Sequence, residues 1–202
     1  MRNKSQKTVS ALTPEQLAKV LTIAKEKSPR DHAMMLVQYF HGLRVSELVN
    51  LKLSDIDRRQ KVWFVSVARL KGSLETRQNV WEVKGKPIWN EKAALQNYLE
   101  NVLGNPASDY VFISKKTDGP LDPAVWNRLY KGYVLEAGLP VTLSHNHCLK
   151  HSRAKHLLAG GASLEHVRQG LGHSSLNSTA IYVTVSDQEA DVAARNALKL
   201  LP

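Results

Sequence analysis

The side chains of this chain that can do chemistry gather in four short stretches. These are Gly42-Leu43-Arg44-Val45-Ser46-Glu47-Leu48, Arg69-Leu70-Lys71-Gly72-Ser73, His147-Cys148-Leu149-Lys150-His151-Ser152, and Leu171-Gly172-His173 with Tyr182 nine residues beyond. An arginine offers a planar fork for phosphate oxygens, a lysine a point charge, a histidine a proton relay near neutrality, and a tyrosine a nucleophilic hydroxyl. Such a set suits cleavage of a phosphodiester by transesterification. That reaction needs a nucleophile, an acid for the leaving 5′-oxygen, and fixed positive charge around the phosphorane. Each residue also has an ordinary reading. Arg44 can pair with Glu47 at i+3, a lysine in a turn such as Lys71 is normally solvated, and a lone helical tyrosine is usually core. His147 can cap or sit on the surface, and His173 can satisfy backbone groups after Gly172. His147 and His151 also stand at the i, i+4 spacing of a zinc helix, near His145 and His156. There Cys148 occupies the place of the general-base glutamate, no third ligand is apparent, and no metal site is expected.

The elements that must position these residues follow from periodicity. Thr13-Pro14-Glu15-Gln16 is a capping-box start with proline at the first helical position, and Leu17, Val20, Leu21 and Ile23-Ala24 recur at helical spacing. A second helix is expected over Asp31 to His41, stopped by Gly42, and a third from Val45 to Leu51. Strand-like runs at Val62–Val67 and Gln78–Val83 flank a Lys/Gly turn. Helical spacing returns over Asn90 to Leu103. Tyr110–Ile113 reads as either a short strand or a buried extended segment. Asp122-Pro123 opens a helix that Gly138 closes. From Leu149 the chain is helical in pieces, broken at Gly160-Gly161, Gly172 and Ser174-Ser175, and an amphipathic stretch runs from Asp187 to Leu201. The expected architecture is mostly α with a small antiparallel β-sheet (α+β). A flexible basic arm over residues 1–10 precedes one catalytic domain over 11–202, whose last helix spans about 187–201.

The first stretch fits Gly-Leu-Arg-x-Ser-Glu-Leu at every fixed position, and the third fits His-x-x-Arg-His-Ser except that Lys150 replaces the arginine. With Leu171-Gly172-His173, Thr179 and Tyr182, these motifs resemble the catalytic domain of the tyrosine recombinases, the phage integrase-like family, from about residue 10 to residue 190. The resemblance implies that Tyr182 is the nucleophile and forms a 3′-phosphotyrosine, conserving the bond energy without nucleotide, metal or other cofactor. It implies Arg44 and His173 on the non-bridging oxygens, His147 as general base or phosphate ligand, and Lys71 on the hairpin as the acid for the leaving oxygen. Lys150 keeps the charge of the usual arginine but not its fork. Arg153, one turn on, is a candidate to compensate. In size the chain is similar to the single-domain fimbrial phase-variation invertases, and equally to the catalytic piece of a longer integrase whose N-terminal DNA-clamping domain is not part of this sequence. The last amphipathic stretch is a candidate either for docking on a neighbouring protomer or for packing on the chain's own core.

Charge agrees. The 28 Lys and Arg against 18 Asp and Glu give a net charge of +10, which favours a polyanionic partner such as double-stranded DNA. A single cysteine excludes an internal disulfide and fits a reducing cytoplasm. No apolar run approaches the ~20 residues of a membrane span. The expected activity is site-specific DNA recombination by integration, inversion or resolution, carried out by a tetramer on DNA. Two alternatives stand beside it: a catalytically impaired DNA-binding or regulatory protein, and a type IB topoisomerase-like relaxing enzyme.

Overall fold

The computed structural model describes residues 9–69, 75–104, 106–114 and 116–183. Helix α1 (Pro14–Lys27) begins as its motif demands. Thr13 accepts from the Gln16 N–H, and the Gln16 side chain answers the Thr13 N–H. Ser28 ends α1 and caps α2 (Pro29–Phe40), which is buried from Asp31 to Phe40 and serves as the axis of the core. Such a helix must satisfy its polar residues internally. Asp31 accepts from Tyr133 Oη (2.8 Å), His32 Nε2 pairs with Ile88 O (2.9 Å), and Gln38 Oε1 accepts from Trp126 Nε1 (2.9 Å). Around α2 pack α1, α3 (Val45–Val49), α4 (Glu91–Asn97) and α6 (His147–Ala159). Helix α5 (Pro123–Glu136) lies against α1 and α3, its Trp126 and Tyr130 fully buried.

Among the described residues the sheet has three antiparallel strands in the order β1 (Ile56–Asp57), β2 (Phe64–Val67), β3 (Thr76–Asn79). The register pairs Val65 with Gln78 and Val67 with Thr76. Val65 and Val67 face the core, while Phe64 on the other face carries the Arg77 guanidinium 4.0 Å from its ring centroid. The mostly helical architecture with a small antiparallel sheet is therefore present, with shorter strands than propensity suggested. Trp81 and Val83 lie beyond β3 because Trp81 is used otherwise. Its ring stacks on Phe40 at 6.2 Å, and its backbone N–H donates to Glu91 Oε2. Tyr110–Ile113 is extended and forms only isolated bridges, Lys52 with Tyr110 and Ile113 with Pro120, with Val111 and Phe112 fully buried. The helix expected to Leu103 changes at Tyr98 into a π-helical turn, Tyr98–Leu103.

Beyond α6 come α7 (Leu164–Gly170) and α8 (Asn177–Ala180). The hairpin residue Lys71, the basic arm up to residue 8 and the 187–201 stretch lie outside the described residues. Among the described residues no helix is long and apolar enough to cross a membrane.

Candidate active site

Two helix ends build this site, and both end the same way. Helix α2 stops at a left-handed Gly42 (φ 58°), with Leu43 N–H donating to Gln38 O and Gly42 N–H to Tyr39 O. Helix α7 stops at a left-handed Gly172 (φ 66°), with His173 N–H donating to Arg168 O and Gly172 N–H to Gln169 O. Each is a Schellman turn, which only glycine enters without strain. The first turn delivers Arg44 and the second delivers His173. The turns also touch, since a Cβ on Gly42 would sit 2.4 Å from Leu171 Cδ2.

Arg44 opens α3 between Leu43 and Leu48, both fully buried. Its Nη1 donates to Glu47 Oε1 (2.7 Å) and its backbone N–H to Glu47 Oε2 (2.8 Å). The i+3 pair is thus real, and it orients rather than conceals the guanidinium, whose side chain remains 27% exposed against 0% for Glu47. Lys150 points from α6 into the gap between the turns. Its Nζ donates to Gly42 O (2.8 Å) and Leu171 O (2.9 Å), and the residue is 4% exposed. Burial, then the charge of Arg69, pushes its pKa down to about 7.

Tyr182 follows α8 and is buried. Its hydroxyl lies 2.8 Å from His151 Nδ1, and its ring stacks on His173, with centroids 6.5 Å apart and planes 12° apart. Burial raises the phenol to about 12 despite the opposing charge of Arg44. Burial lowers His151 to about 4, helped by the charges of His147 and His145, so at neutral pH its imidazole is uncharged and able to take a proton. His173 is held through Nδ1 by Thr179 Oγ1 (2.9 Å). Its pKa also falls to about 4, by burial first and then by Lys150 and Arg44. His147, the first residue of α6, is exposed beside His151 (ring centroids 6.2 Å apart).

Five of the expected residues, Arg44, His147, Lys150, His173 and Tyr182, therefore share one neighbourhood. Arg153 does not compensate for the missing fork. Its guanidinium sits over the rings of Tyr39, Phe40 and Trp81 at 5.4–5.9 Å. Sequence reasoning matched His151 to a motif and gave it no part; the tyrosine contact supplies one. Ser152 of the same motif is structural, accepting from Leu12 N–H (2.8 Å) and donating to Cys148 O (2.6 Å).

Comparison with known proteins agrees with this geometry. Residues 10–189 match the Phage integrase family. A tyrosine recombinase of Pseudothermotoga lettingae is 33% identical over 179 residues, which are 88% of this chain and 57% of that protein. Tyrosine recombinase XerA of Pyrococcus furiosus is 33% identical over 189 residues, 93% of this chain and 61% of that one. Tyrosine recombinase XerD of Vibrio cholerae is 34% identical over 180 residues, 88% and 57% respectively. This chain spans about three-fifths of the length of these relatives. A crystal structure of XerA recombinase superposes with a TM-score of 0.72 at 25% identity, covering 94% of this chain and 65% of that one. XerH recombinase bound to its difH substrate shares the fold, with a TM-score of 0.76 at 22% identity over 96% of this chain and 56% of that one. The chain belongs to the phage integrase family of tyrosine recombinases.

Proposed function

We propose that this chain is the catalytic part of a site-specific recombinase that cuts and rejoins double-stranded DNA, with residues 11–202 forming one catalytic unit. The observation that carries the reading is Tyr182 Oη, 2.8 Å from His151 Nδ1 and within the field of Arg44. A phenol with a pKa near 12 is a poor nucleophile by itself, so it needs a base in contact. In the proposed step Tyr182 Oη bonds to the scissile phosphorus as its proton passes to His151 Nδ1. The bond to the 5′-oxygen breaks, and that oxygen takes a proton from Lys71. Arg44 grips the non-bridging oxygens, His173 donates to one through Nε2, and His147 and Lys150 add hydrogen bonding and charge. Rejoining reverses the step, so no energy source or cofactor enters. A tetramer on DNA in the cytoplasm is the assembly this chemistry serves in integration, inversion or resolution.

The test uses nicked duplexes tiled across the DNA flanking the coding region. Wild type should yield an adduct that resists SDS without metal, and Tyr182→Phe should bind the same DNA and yield none. An adduct that persists in Tyr182→Phe, or wild type that forms none on any duplex, refutes the reading. Supercoil relaxation without recombinant products would instead mark a topoisomerase.

A further inference from the structure

Arg69 follows β2, two residues before Lys71 in the chain, in a basic hairpin that reads as surface. Its side chain is instead 0% exposed, and every N–H it carries has an acceptor. Nε donates to Thr76 Oγ1 (3.2 Å), Nη1 to Gly42 O (3.3 Å) and Glu47 Oε2 (3.2 Å), and Nη2 to His41 O (2.8 Å) and Gly170 O (3.2 Å). The acceptors explain why an arginine is buried here. A Schellman turn satisfies only some of the carbonyls a helix end leaves open. His41 and Gly42 end α2, and Gly170 ends α7, so orphan carbonyls from both helices converge on one point. The negative ends of both helix dipoles converge there too. A guanidinium is the one side chain with enough donors, in a fixed fork, to serve both ends and a carboxylate. The fit is close, since a Cβ on Gly172 would lie 2.7 Å from Arg69 Nε.

We infer that Arg69 is a positioning residue for the cleavage reaction: its guanidinium bolts the turn that delivers Arg44 to the turn that delivers His173, and holds the Glu47 carboxylate that orients Arg44. The inference rests on the recombinase reading. Lys150 crosses the same gap through Gly42 O and Leu171 O, so the two cations close it jointly. Because Arg69 has no donor left for a phosphate, it acts through the residues it holds and contributes little to ground-state DNA affinity.

The test measures adduct formation in single turnover on a nicked duplex that wild type cleaves, together with DNA affinity and melting temperature. Arg69→Ala should slow adduct formation by about 10²-fold, the scale of a 1 Å misplacement at a reacting centre, with DNA affinity unchanged. Arg69→Lys keeps the charge but reaches fewer acceptors, and should recover about tenfold of that loss. If Arg69→Ala does not fold, Arg69→Lys decides: slower cleavage at wild-type affinity supports the inference, and wild-type cleavage overturns it. An alanine variant that cleaves like wild type also overturns it. So does a loss that tracks weakened DNA binding and that lysine does not relieve. Wild type that forms no adduct sinks the recombinase reading and this inference with it, whereas wild type that cleaves no faster than Arg69→Ala sinks the inference alone.

Discussion

Replacing Lys150 with methionine keeps most of the side-chain volume and removes an ammonium that donates to Gly42 O and Leu171 O. Burial, with the charge of Arg69, lowers that amine from 10.5 to about 7, which corresponds to a penalty of about 5 kcal/mol on its protonated form. One buried carbonyl, Leu171 O, is left without a donor at a cost of about 1–3 kcal/mol, while Gly42 O keeps Arg69 Nη1. The effects oppose and the burial penalty is the larger, so near neutrality the methionine variant should be more stable than wild type by about 2–4 kcal/mol. The sign of the pH dependence follows from linkage. Between about 7 and 10.5 the unfolded chain holds a proton that the folded chain has lost, so wild-type stability rises through that window relative to the variant. Below it both states are protonated and the full penalty stands. The stability difference from urea titrations of both proteins should therefore shift, in favour of wild type, by about 2–3 kcal/mol between about pH 7 and pH 9. Cleavage should run the other way. Lys150 faces Arg69, Glu47 and Arg44, with His147 and His151 on its own helix and His173 across the gap. Of these the lysine itself has its pKa near 7, so cleavage at subsaturating DNA should fall as pH rises through about 7. Lys150→Arg, which stays charged, should lose that fall, while Lys150→Met should cleave about 10²-fold more slowly below about pH 7 and show no fall, the gap narrowing as wild type loses its charge. Parallel denaturation curves, or an arginine variant with an unchanged profile, would refute the reasoning.

His151→Asn removes the proposed base without adding charge. It should lower adduct formation by about 10²–10⁴-fold with DNA affinity intact, measured in single turnover, and an unchanged rate would return the base to His147. Since burial holds His151 near 4, the wild-type rate should show no acid limb until pH approaches that value. The +10 net charge predicts that log DNA affinity falls linearly with log salt in an anisotropy titration; an affinity indifferent to salt would contradict the DNA reading.

The legible part of the site was the part encoded locally. Gly42 and Gly172 announce helix ends, buried leucines fix the turns, and Arg44 and His173 sit at set distances beyond them, so a few contiguous letters carry both conformation and function. What depends on convergence was not legible. Arg69 reaches Gly42 across 27 residues and Gly170 across 101, and nothing near it in sequence says that two helix ends will meet. His151 stood inside a recognised motif, yet its contact with Tyr182 spans 31 residues and depends on how the segment after α7 folds back. Strand limits failed for a similar reason. Trp81 has high strand propensity, but a stacking partner in Phe40, the Arg153 guanidinium over its ring, and a buried acceptor in Glu91 take it out of the ladder.

The same convergence bears on the proposed DNA binding. Arg44, Arg69 and Lys150 surround one carboxylate, Glu47. With Lys150 protonated the formal balance is positive, and the partial negative charge of the α2 and α7 ends, about half a unit each at most, leaves a surplus. Burial discourages that surplus, as the lowered Lys150 pKa records. A phosphate diester beside Arg44 would neutralise it and draw the proton back onto Lys150. DNA binding and protonation of Lys150 are then coupled, each favouring the other by the same factor. The cleavage-competent charge would be completed by the substrate itself, and the alkaline limb of the rate should shift to higher pH at saturating DNA. A limb at the same pH under both conditions would mean that the phosphate does not sit in the field of Lys150.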